Sequence, residues 1–165
     1  MIDIKECSKT FDAIKAVNRV TLDIGDHEVF GLIGSNGAGK STLLRMTAGI
    51  IRQDEGEITI DGLSVYENEE AKDKLFYISD DSYFPPNFTA EDMVRFYRNY
   101  YAKFDSRRFY SMMEEFHLDR KRKINTFSKG MKKQLLVILG ISAGTKYLLC
   151  DETFDGLDPV MRQAL

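Results

Sequence analysis

Apolar and polar residues alternate near the start of the chain, over residues 2–7 and again over residues 20–24. A period of two is typical of a strand with one buried face, so both stretches are predicted to be strands. Residues 29–33, Val-Phe-Gly-Leu-Ile, have no polar face, which predicts a strand covered on both sides within a parallel sheet. Further short strands are predicted at residues 57–60, 75–78 and 147–150.

Helical spacing appears in the segments between these strands. Apolar residues recur every three to four positions from Lys40 to Ile50, which predicts a helix there. Thr89 and Asp92 have the spacing of a capping box, which opens a helix over about residues 90–101. Two more helices are predicted, over about residues 106–117 and from Ser128 to about residue 143.

The order of these elements predicts an α/β fold with a mostly parallel sheet. Residues 1–84 and 141–165 are expected to form an α/β core, and residues 85–140 are expected to form a helical subdomain inserted into it. At 165 residues, the chain has the length of one domain. Its longest nearly unbroken apolar run, residues 135–143, is too short to cross a bilayer.

Composition excludes several classes of protein. Hydrophobic residues make up 43% of the chain and charged residues 30%, which are the values of an ordinary globular protein. The net charge of −3 gives no indication of a surface for nucleic acid, and no direct nucleic-acid partner is expected. The two cysteines, Cys7 and Cys150, have neither zinc-site spacing nor the number that a disulfide framework needs.

A glycine-rich segment follows the predicted apolar strand and precedes a predicted helix. It fits the pattern G-x-x-x-x-G-K-[S/T] of a phosphate-binding loop. Its glycines let backbone N–H groups turn toward a phosphate, and the helix N-terminus adds further donors. The segment consists of Gly34, Ser35, Asn36, Gly37, Ala38, Gly39, Lys40, Ser41 and Thr42. In this pattern the lysine reaches the β- and γ-phosphates and the Ser41 hydroxyl ligates Mg²⁺.

A phosphate loop by itself leaves several enzyme classes open. GTPases also need the patterns Asp-x-x-Gly and Asn-Lys-x-Asp, and neither occurs in this chain. A small nucleotide kinase remains an alternative at this point, because it combines a phosphate loop with a short chain.

Two carboxylates, Asp151 and Glu152, directly follow the apolar strand predicted at residues 147–150. Ligands of doubly wound sheets bind beyond the carboxyl ends of the strands, so these groups are placed to meet the phosphate loop. Asp151 is expected to hold Mg²⁺, and Glu152 is expected to orient or deprotonate an attacking water. Ser128 and Gly130 lie at the start of a helix, where unpaired N–H groups suit an anion.

Taken together, these motifs resemble the nucleotide-binding domain of an ATP-binding cassette (ABC) transporter. Residues 34–42 match the Walker A motif, and residues 147–152 match Walker B with the catalytic glutamate. Residues 155–158 match the D-loop, and residues 127–131 align with the Leu-Ser-Gly-Gly-Gln signature. The resemblance extends over essentially the whole chain, with the motifs in the family's order.

The resemblance implies a subunit that binds MgATP and, in the complete protein, hydrolyses it to drive a membrane-spanning permease. Two such domains stack head to tail, so that Ser128 and Gly130 contact the γ-phosphate held by a second nucleotide-binding domain. Lys40 and Glu152 take the catalytic roles, and Phe11 stacks on adenine. Asp80 aligns with a glutamine that ligates Mg²⁺, beside Ser41 and Asp151. The expected location is cytoplasmic, peripheral on the inner face of the membrane.

Besides Asp80 at the position of the glutamine, the sequence departs from this family pattern in three places. Lys129 stands at the first glycine of the signature and Met131 at its glutamine. A histidine that contacts the γ-phosphate in the family has no counterpart, because the chain ends at Leu165. We therefore expect a C-terminally truncated product that lacks one or two core strands. Two alternative functions stay open: a soluble ABC-type ATPase that is not coupled to transport, and a nucleotide-binding module that does not hydrolyse.

Overall fold

A computed structural model describes residues 1–81 and 83–153 of the chain. The described residues divide into two compact units, of which the first is residues 1–75 and the second begins at Phe76. The predicted division into an α/β core of residues 1–84 and 141–165 and a helical subdomain of residues 85–140 stays a prediction.

The first unit contains a four-stranded sheet. Its elements are strands β1 (Ile2–Phe11) and β2 (Ile14–Ile24), helix α1 (Lys40–Thr47), strands β3 (Glu55–Ile60) and β4 (Leu63–Ser64), and helix α2 (Glu69–Lys72). The strand order is β2-β1-β3-β4, and every pairing in this sheet is antiparallel. The mostly parallel pairing that the sequence predicted is therefore wrong for this sheet, because the short connection between β1 and β2 forms a hairpin, which pairs its strands antiparallel. Ile2 pairs with Ile24 on one side and with Ile60 on the other, which sets the register of the three long strands.

The predicted alternation produces the core of this unit. Ile2, Ile4, Ile58 and Ile60 are buried, because alternate residues of a strand point to the same face of the sheet. Helix α1 lies against β2 and β3, and its Met46 is buried. Strands β1 and β2 are longer than predicted because hairpin pairing continues through their polar ends, as far as the pair of Phe11 and Ile14.

The second unit is mainly helical. Strand β5 (Leu75–Ile78) leads to helices α3 (Ala90–Arg98) and α4 (Ser106–Glu115), a 3-10 turn (Ile124–Thr126), helix α5 (Lys129–Ser142) and strand β6 (Tyr147–Cys150). Strands β5 and β6 are paired with each other. One apolar cluster fills the unit, and its fully buried side chains include Phe109, Met113, Leu135 and Ile138.

Helix α5 lies very close to the two strands of this unit. A Cβ added at Gly140 would be 2.8 Å from a methyl carbon of Leu148 on β6 and 3.2 Å from the Phe76 ring on β5. Only a residue without a side chain permits such an approach, so Gly140 allows α5 to pack directly on β5 and β6.

Helices α3, α4 and α5 begin within a residue of their predicted starts, and each has a side-chain cap. Thr89 and Asp92 form the capping box, in which the Thr89 hydroxyl accepts from the Asp92 N–H at 3.2 Å and the Asp92 carboxylate accepts from the Thr89 N–H at 2.8 Å. The Ser128 hydroxyl accepts from the Met131 N–H at 3.1 Å and caps α5. Helix α4 begins at residue 106, and its cap is the carboxylate of Asp105.

The capping box also changes the ionisation of Asp92. Hydrogen bonds from the Thr89 N–H and hydroxyl, together with the Arg95 guanidinium, lower the pKa of this carboxyl from 3.8 to about 2. A depressed pKa means that the stabilisation is present above the ordinary pKa and is lost as the pH falls toward the folded value. The box therefore keeps its full contribution at neutral pH.

The prediction of a strand at residues 29–33 is wrong. These residues are in an irregular, open conformation, and Val29 and Ile33 are almost completely exposed, at 104% and 99%. An apolar strand of this type needs hydrogen-bonding neighbours on its edges. Within residues 1–81 and 83–153, no strand pairs with this segment.

Small elements were not predicted from the sequence. Strand β4, helix α2 and the 3-10 turn contain two to four residues each, which is too short for any hydrophobic period to show. In the described part of the chain, no helix has the length and apolar character that crossing a membrane requires.

Thr89→Ala tests the capping box. We expect this change to lower the free energy of unfolding by about 1 kcal/mol, because it leaves an N–H group at the start of α3 without its acceptor. Urea denaturation followed by circular dichroism measures the change. Ser111→Ala, at an exposed position inside α4, is the matched control and should not lower stability, because alanine is the better helix former. Equal stability of Thr89→Ala and the unmodified protein would show that the box contributes nothing.

Candidate functional site

The glycine-rich loop has the backbone that its sequence predicts. Gly37 and Gly39 have φ values of 82° and 87°, in the left-handed region that residues with a Cβ rarely adopt. The Ala38 N–H donates to the Ser35 carbonyl at 3.1 Å, which closes a tight turn before α1. The loop is therefore a curled segment whose shape depends on glycine at two fixed positions.

Gly39 also makes a close backbone contact with the β1–β2 hairpin. A Cβ at this position would be 2.1 Å from the carbonyl oxygen of Ala16, which is far inside van der Waals contact. Gly37 is different, because a Cβ there would meet no atom within 4 Å. Gly39 is needed for packing against β2, and Gly37 leaves open space at the outer side of the loop.

The ammonium group of Lys40 lies across the loop. Its Nζ donates to the carbonyl oxygens of Gly34 at 2.9 Å and Ser35 at 3.0 Å. No side chain caps the N-terminus of α1, where Gly39 is the N-cap residue. A cation, a helix N-terminus and open space beside Gly37 suit a chain of phosphates, so the residues present fit the predicted nucleotide.

The remaining predicted residues of the first unit lie within the segment of residues 34–42, apart from Phe11. Ser35 and Asn36 are exposed, and Ser41 and Thr42 form the half-buried first turn of α1. Phe11 ends β1 and is 43% exposed, with the Lys9 ammonium 5.6 Å from its ring centre. Its hairpin is the one that contacts Gly39, so the aromatic ring and the loop belong to the same packed region.

In the second unit, the acidic residues lie where β6 ends. Asp151 is only 2% exposed, and its carboxylate accepts from the Tyr77 hydroxyl at 3.1 Å. The Asp151 N–H donates to the Ile78 carbonyl at 2.9 Å, which joins this end of β6 to the end of β5. Burial raises the pKa of the preceding Cys150 thiol to about 11, so that neighbour is uncharged at neutral pH.

Glu152 is exposed, and its backbone is unusual. Its φ of 48° is left-handed, a conformation that costs a residue with a Cβ about 1–2 kcal/mol. Its carbonyl oxygen accepts from the ammonium of Lys133 on α5 at 2.8 Å. The same ammonium is 3.4 Å from the carboxylate of Asp80, which follows β5.

Lys133 was not predicted as a site residue. Lysine runs on helices are usually solvated, and Lys129, Lys132 and Lys133 form such a run in the sequence. The helical period does not separate Lys133 from Lys132, because the residues three and four positions after each of them are buried.

An open cleft of about 380 Å³ lies beside this contact. It is lined by Asp80, Asp81, Tyr83, Lys129, Lys132 and Lys133. Ser128 is exposed at the start of the same helix, and Gly130 is half-buried in its first turn. The structure thus brings Asp80, Asp151 and Glu152 to the ends of two paired strands.

Other parts of the predicted site stay predictions. The loop belongs to the first unit and the acidic residues belong to the second, and their meeting was inferred from sequence alone. Residues 155–158, the predicted D-loop, lie outside the described residues. Among the residues that are described, no group of three or more His, Cys, Asp or Glu side chains is placed to hold a metal. The assignment of Ser41, Asp80 and Asp151 to Mg²⁺ is therefore untested.

Residues 17–155 match the family model for ABC transporters. The chain belongs to the ABC transporter family. This confirms the resemblance inferred from the motifs, and it covers the phosphate loop, the signature region and the acidic pair together.

Relatives in the ABC transporter family include ATP-binding proteins from several bacteria. The ABC transporter ATP-binding protein YtrB of Bacillus subtilis is 34% identical over 162 residues, which are 98% of this chain and 56% of YtrB. The lipopolysaccharide export system ATP-binding protein LptB of Haemophilus influenzae is 27% identical, over 97% of this chain and 70% of LptB. The chain spans little more than half the length of YtrB and of several other relatives that it matches.

Solved structures of the ABC transporter family have the same fold. An ATP-binding subunit of an ABC transporter superposes with a TM-score of 0.89 at 28% identity, over 99% of this chain and 70% of that one. The ATP-binding cassette MJ0796, in a dimeric post-hydrolysis state with ADP and Pi, superposes with a TM-score of 0.85 at 22% identity. It covers 99% of this chain and 78% of that one. The predicted α/β fold of the phosphate-loop class is confirmed.

The contact of Gly39 with Ala16 predicts a difference between the two glycines of the loop. Both substitutions to alanine place a Cβ at positive φ, but only Gly39→Ala also forces it against a backbone oxygen. We expect Gly39→Ala to lower the free energy of unfolding by about 1–3 kcal/mol more than Gly37→Ala. Urea denaturation of the two variants measures this. Equal losses would mean that the close approach is relieved by a small shift of β2.

Proposed function

We propose that this chain is the ATP-binding subunit of an ABC transporter, which binds MgATP and, in the complete protein, hydrolyses it. The observation that carries the proposal is the phosphate loop, with its two left-handed glycines and with its lysine bound to the carbonyls of Gly34 and Ser35. Membership of the ABC transporter family supports it, as do the printed names of the relatives, which are ATP-binding proteins.

The loop residues 34–42 wrap the phosphates through backbone N–H groups and the N-terminus of α1. Lys40 exchanges its two bonds to loop carbonyls for bonds to the β- and γ-phosphates, so the lysine is already positioned before the ligand arrives. Phe11 offers an exposed ring on the hairpin beside the loop, and base stacking on such a ring contributes roughly 1–3 kcal/mol.

Ser41, Asp151 and Asp80 supply hydroxyl and carboxylate oxygens, which are the ligands that Mg²⁺ prefers. When bound, Mg²⁺ neutralises charge on the β- and γ-phosphates. The Tyr77 hydroxyl and the backbone of Ile78 hold Asp151 in place at the end of β6. A buried carboxylate held in this way keeps a fixed direction, as a metal ligand requires.

Glu152 accepts a proton from, or orients, the water that attacks the γ-phosphate. Its side chain is exposed beyond the end of β6, and its left-handed backbone turns it out of the line of the strand. Strained conformations of this kind are concentrated at functional sites.

Head-to-tail pairing with a second nucleotide-binding domain completes the proposed site. Ser128 and Gly130 would then contact the γ-phosphate held by that domain, from the capped N-terminus of α5. The related cassette MJ0796 is dimeric in a post-hydrolysis state. ATP favours the closed pair because its γ-phosphate is contacted from both sides, and hydrolysis removes that preference.

The closing motion drives a membrane-spanning permease subunit. The chain itself acts from the cytoplasmic side, peripheral on the inner face of the membrane. Support comes from the relatives, whose names place them in an export system or in ABC transporters.

Lys40→Ala tests nucleotide binding. We expect the dissociation constant for ATP to rise at least tenfold, about 1.4 kcal/mol or more, because the variant loses the cation on the β- and γ-phosphates. Isothermal titration calorimetry measures this. Lys5→Ala, which removes an exposed lysine from β1 in the same unit, should bind as the unmodified protein does. Unchanged affinity in Lys40→Ala would overturn the assignment of the loop.

Glu152→Gln tests hydrolysis separately from binding. We expect phosphate release by the full-length protein to fall about 10²-fold or more, since the amide cannot take a proton, while ATP still binds and promotes dimers. Phosphate release and sedimentation with ATP are the two measurements. Glu114→Gln, an exposed position on α4, is the control. Full-speed hydrolysis by Glu152→Gln would contradict its role, and no hydrolysis by the unmodified protein would favour a binding module.

A further inference from the structure

Lys133 is a buried cation. Its residue is 4% exposed, and among the residues that the structure describes it is the one buried lysine or arginine. Placing an ammonium group away from water is unfavourable unless its protons are donated to well-placed acceptors. The position of Lys133 therefore depends on what its Nζ contacts.

Those contacts come from the ends of two strands. The Nζ donates to the backbone carbonyl of Glu152 at 2.8 Å, just beyond β6, and lies 3.4 Å from the Asp80 carboxylate, just beyond β5. One side chain of α5 thus joins two of the residues proposed for catalysis and for metal binding. The close packing of α5 on these strands at Gly140 keeps its distance from them short.

The contact falls on a strained residue. Glu152 has a φ of 48°, and such a backbone persists only where the surroundings hold it. The preceding N–H, that of Asp151, is bound by the Ile78 carbonyl at 2.9 Å. The following hydroxyl, that of Thr153, lies 3.4 Å from the Asp151 carbonyl. The carbonyl of Glu152 itself is held by Lys133.

We infer that Lys133 is a positioning residue for Glu152. By holding the Glu152 carbonyl, Lys133 sets the direction in which the Glu152 side chain leaves the backbone. Its ion pair with Asp80 fixes the position of that carboxylate relative to the same carbonyl. The inference rests on the proposed role of Glu152 in hydrolysis. Its role is therefore indirect, and it requires no contact between Lys133 and the nucleotide or the attacking water.

Lys133→Met in the full-length protein is the first test. Methionine has similar length but no donor, so Glu152 loses its restraint. We expect kcat for ATP hydrolysis to fall at least tenfold, because misplacing a catalytic group by about 1 Å can cost up to about 10²-fold. The dissociation constant for ATP should change less than about twofold, because Lys133 does not contact the nucleotide. Lys132→Met, one residue earlier in the same cleft, should keep both values.

A double variant separates positioning from a general structural role. If Lys133 acts through Glu152, Lys133→Met combined with Glu152→Gln should be no slower than Glu152→Gln alone. A further loss of the same size as in the single variant would overturn the inference. So would an unchanged kcat in Lys133→Met. If Glu152→Gln hydrolyses ATP at full speed, the proposed function fails instead, whatever Lys133→Met does.

A second substitution covers the case in which Lys133→Met does not fold. Lys133→Gln is also neutral, and its amide nitrogen lies one bond nearer to the helix, too short to reach the Glu152 carbonyl. The same comparison then applies. Lys133→Gln should lower kcat when it is the sole change, and it should have no further effect on kcat in the Glu152→Gln background. Lys133→Arg keeps charge and reach, and we expect it to retain more activity than either neutral variant. Equal loss in all three would contradict positioning by a donated hydrogen bond.

Discussion

The first unit depends on one approach of backbone to backbone, that of Gly39 to the Ala16 carbonyl. This contact joins the glycine-rich loop to the β1–β2 hairpin and fixes where α1 begins. It is possible only without a Cβ, so the identity of the residue is set by packing as much as by the phosphates. Lys40 follows directly after that fixed point, and its ammonium donates to the loop carbonyls of Gly34 and Ser35.

The second unit depends in a similar way on helix α5. Its start carries Ser128 and its cap, its middle carries Lys133, and Gly140 near its end lets it lie on the two strands. A single rigid helix therefore sets the positions of the signature residues and of the carbonyl of Glu152. Changes in the packing of this helix are transmitted to both, because protein interiors are close-packed.

Much of this was predictable from sequence, for identifiable reasons. Alternation located β1 and the second half of β2, turn and cap chemistry located α3 and α5, and glycine spacing located the loop. The apolar run at residues 29–33 was misjudged because a hydrophobic pattern shows what a segment needs and not whether neighbouring strands are there to supply it. Lys133 was missed because its burial and its partners depend on the distance between α5 and the ends of two strands, and a list of residues does not contain that distance.

The exposed segment at residues 29–33 has a consequence for handling the molecule. Val29, Phe30 and Ile33 present β-prone apolar side chains and unpaired backbone to solvent without any charge or proline among them. Segments of this composition template intermolecular cross-β stacking when they meet another copy. A single gatekeeper charge within these five residues would oppose such stacking.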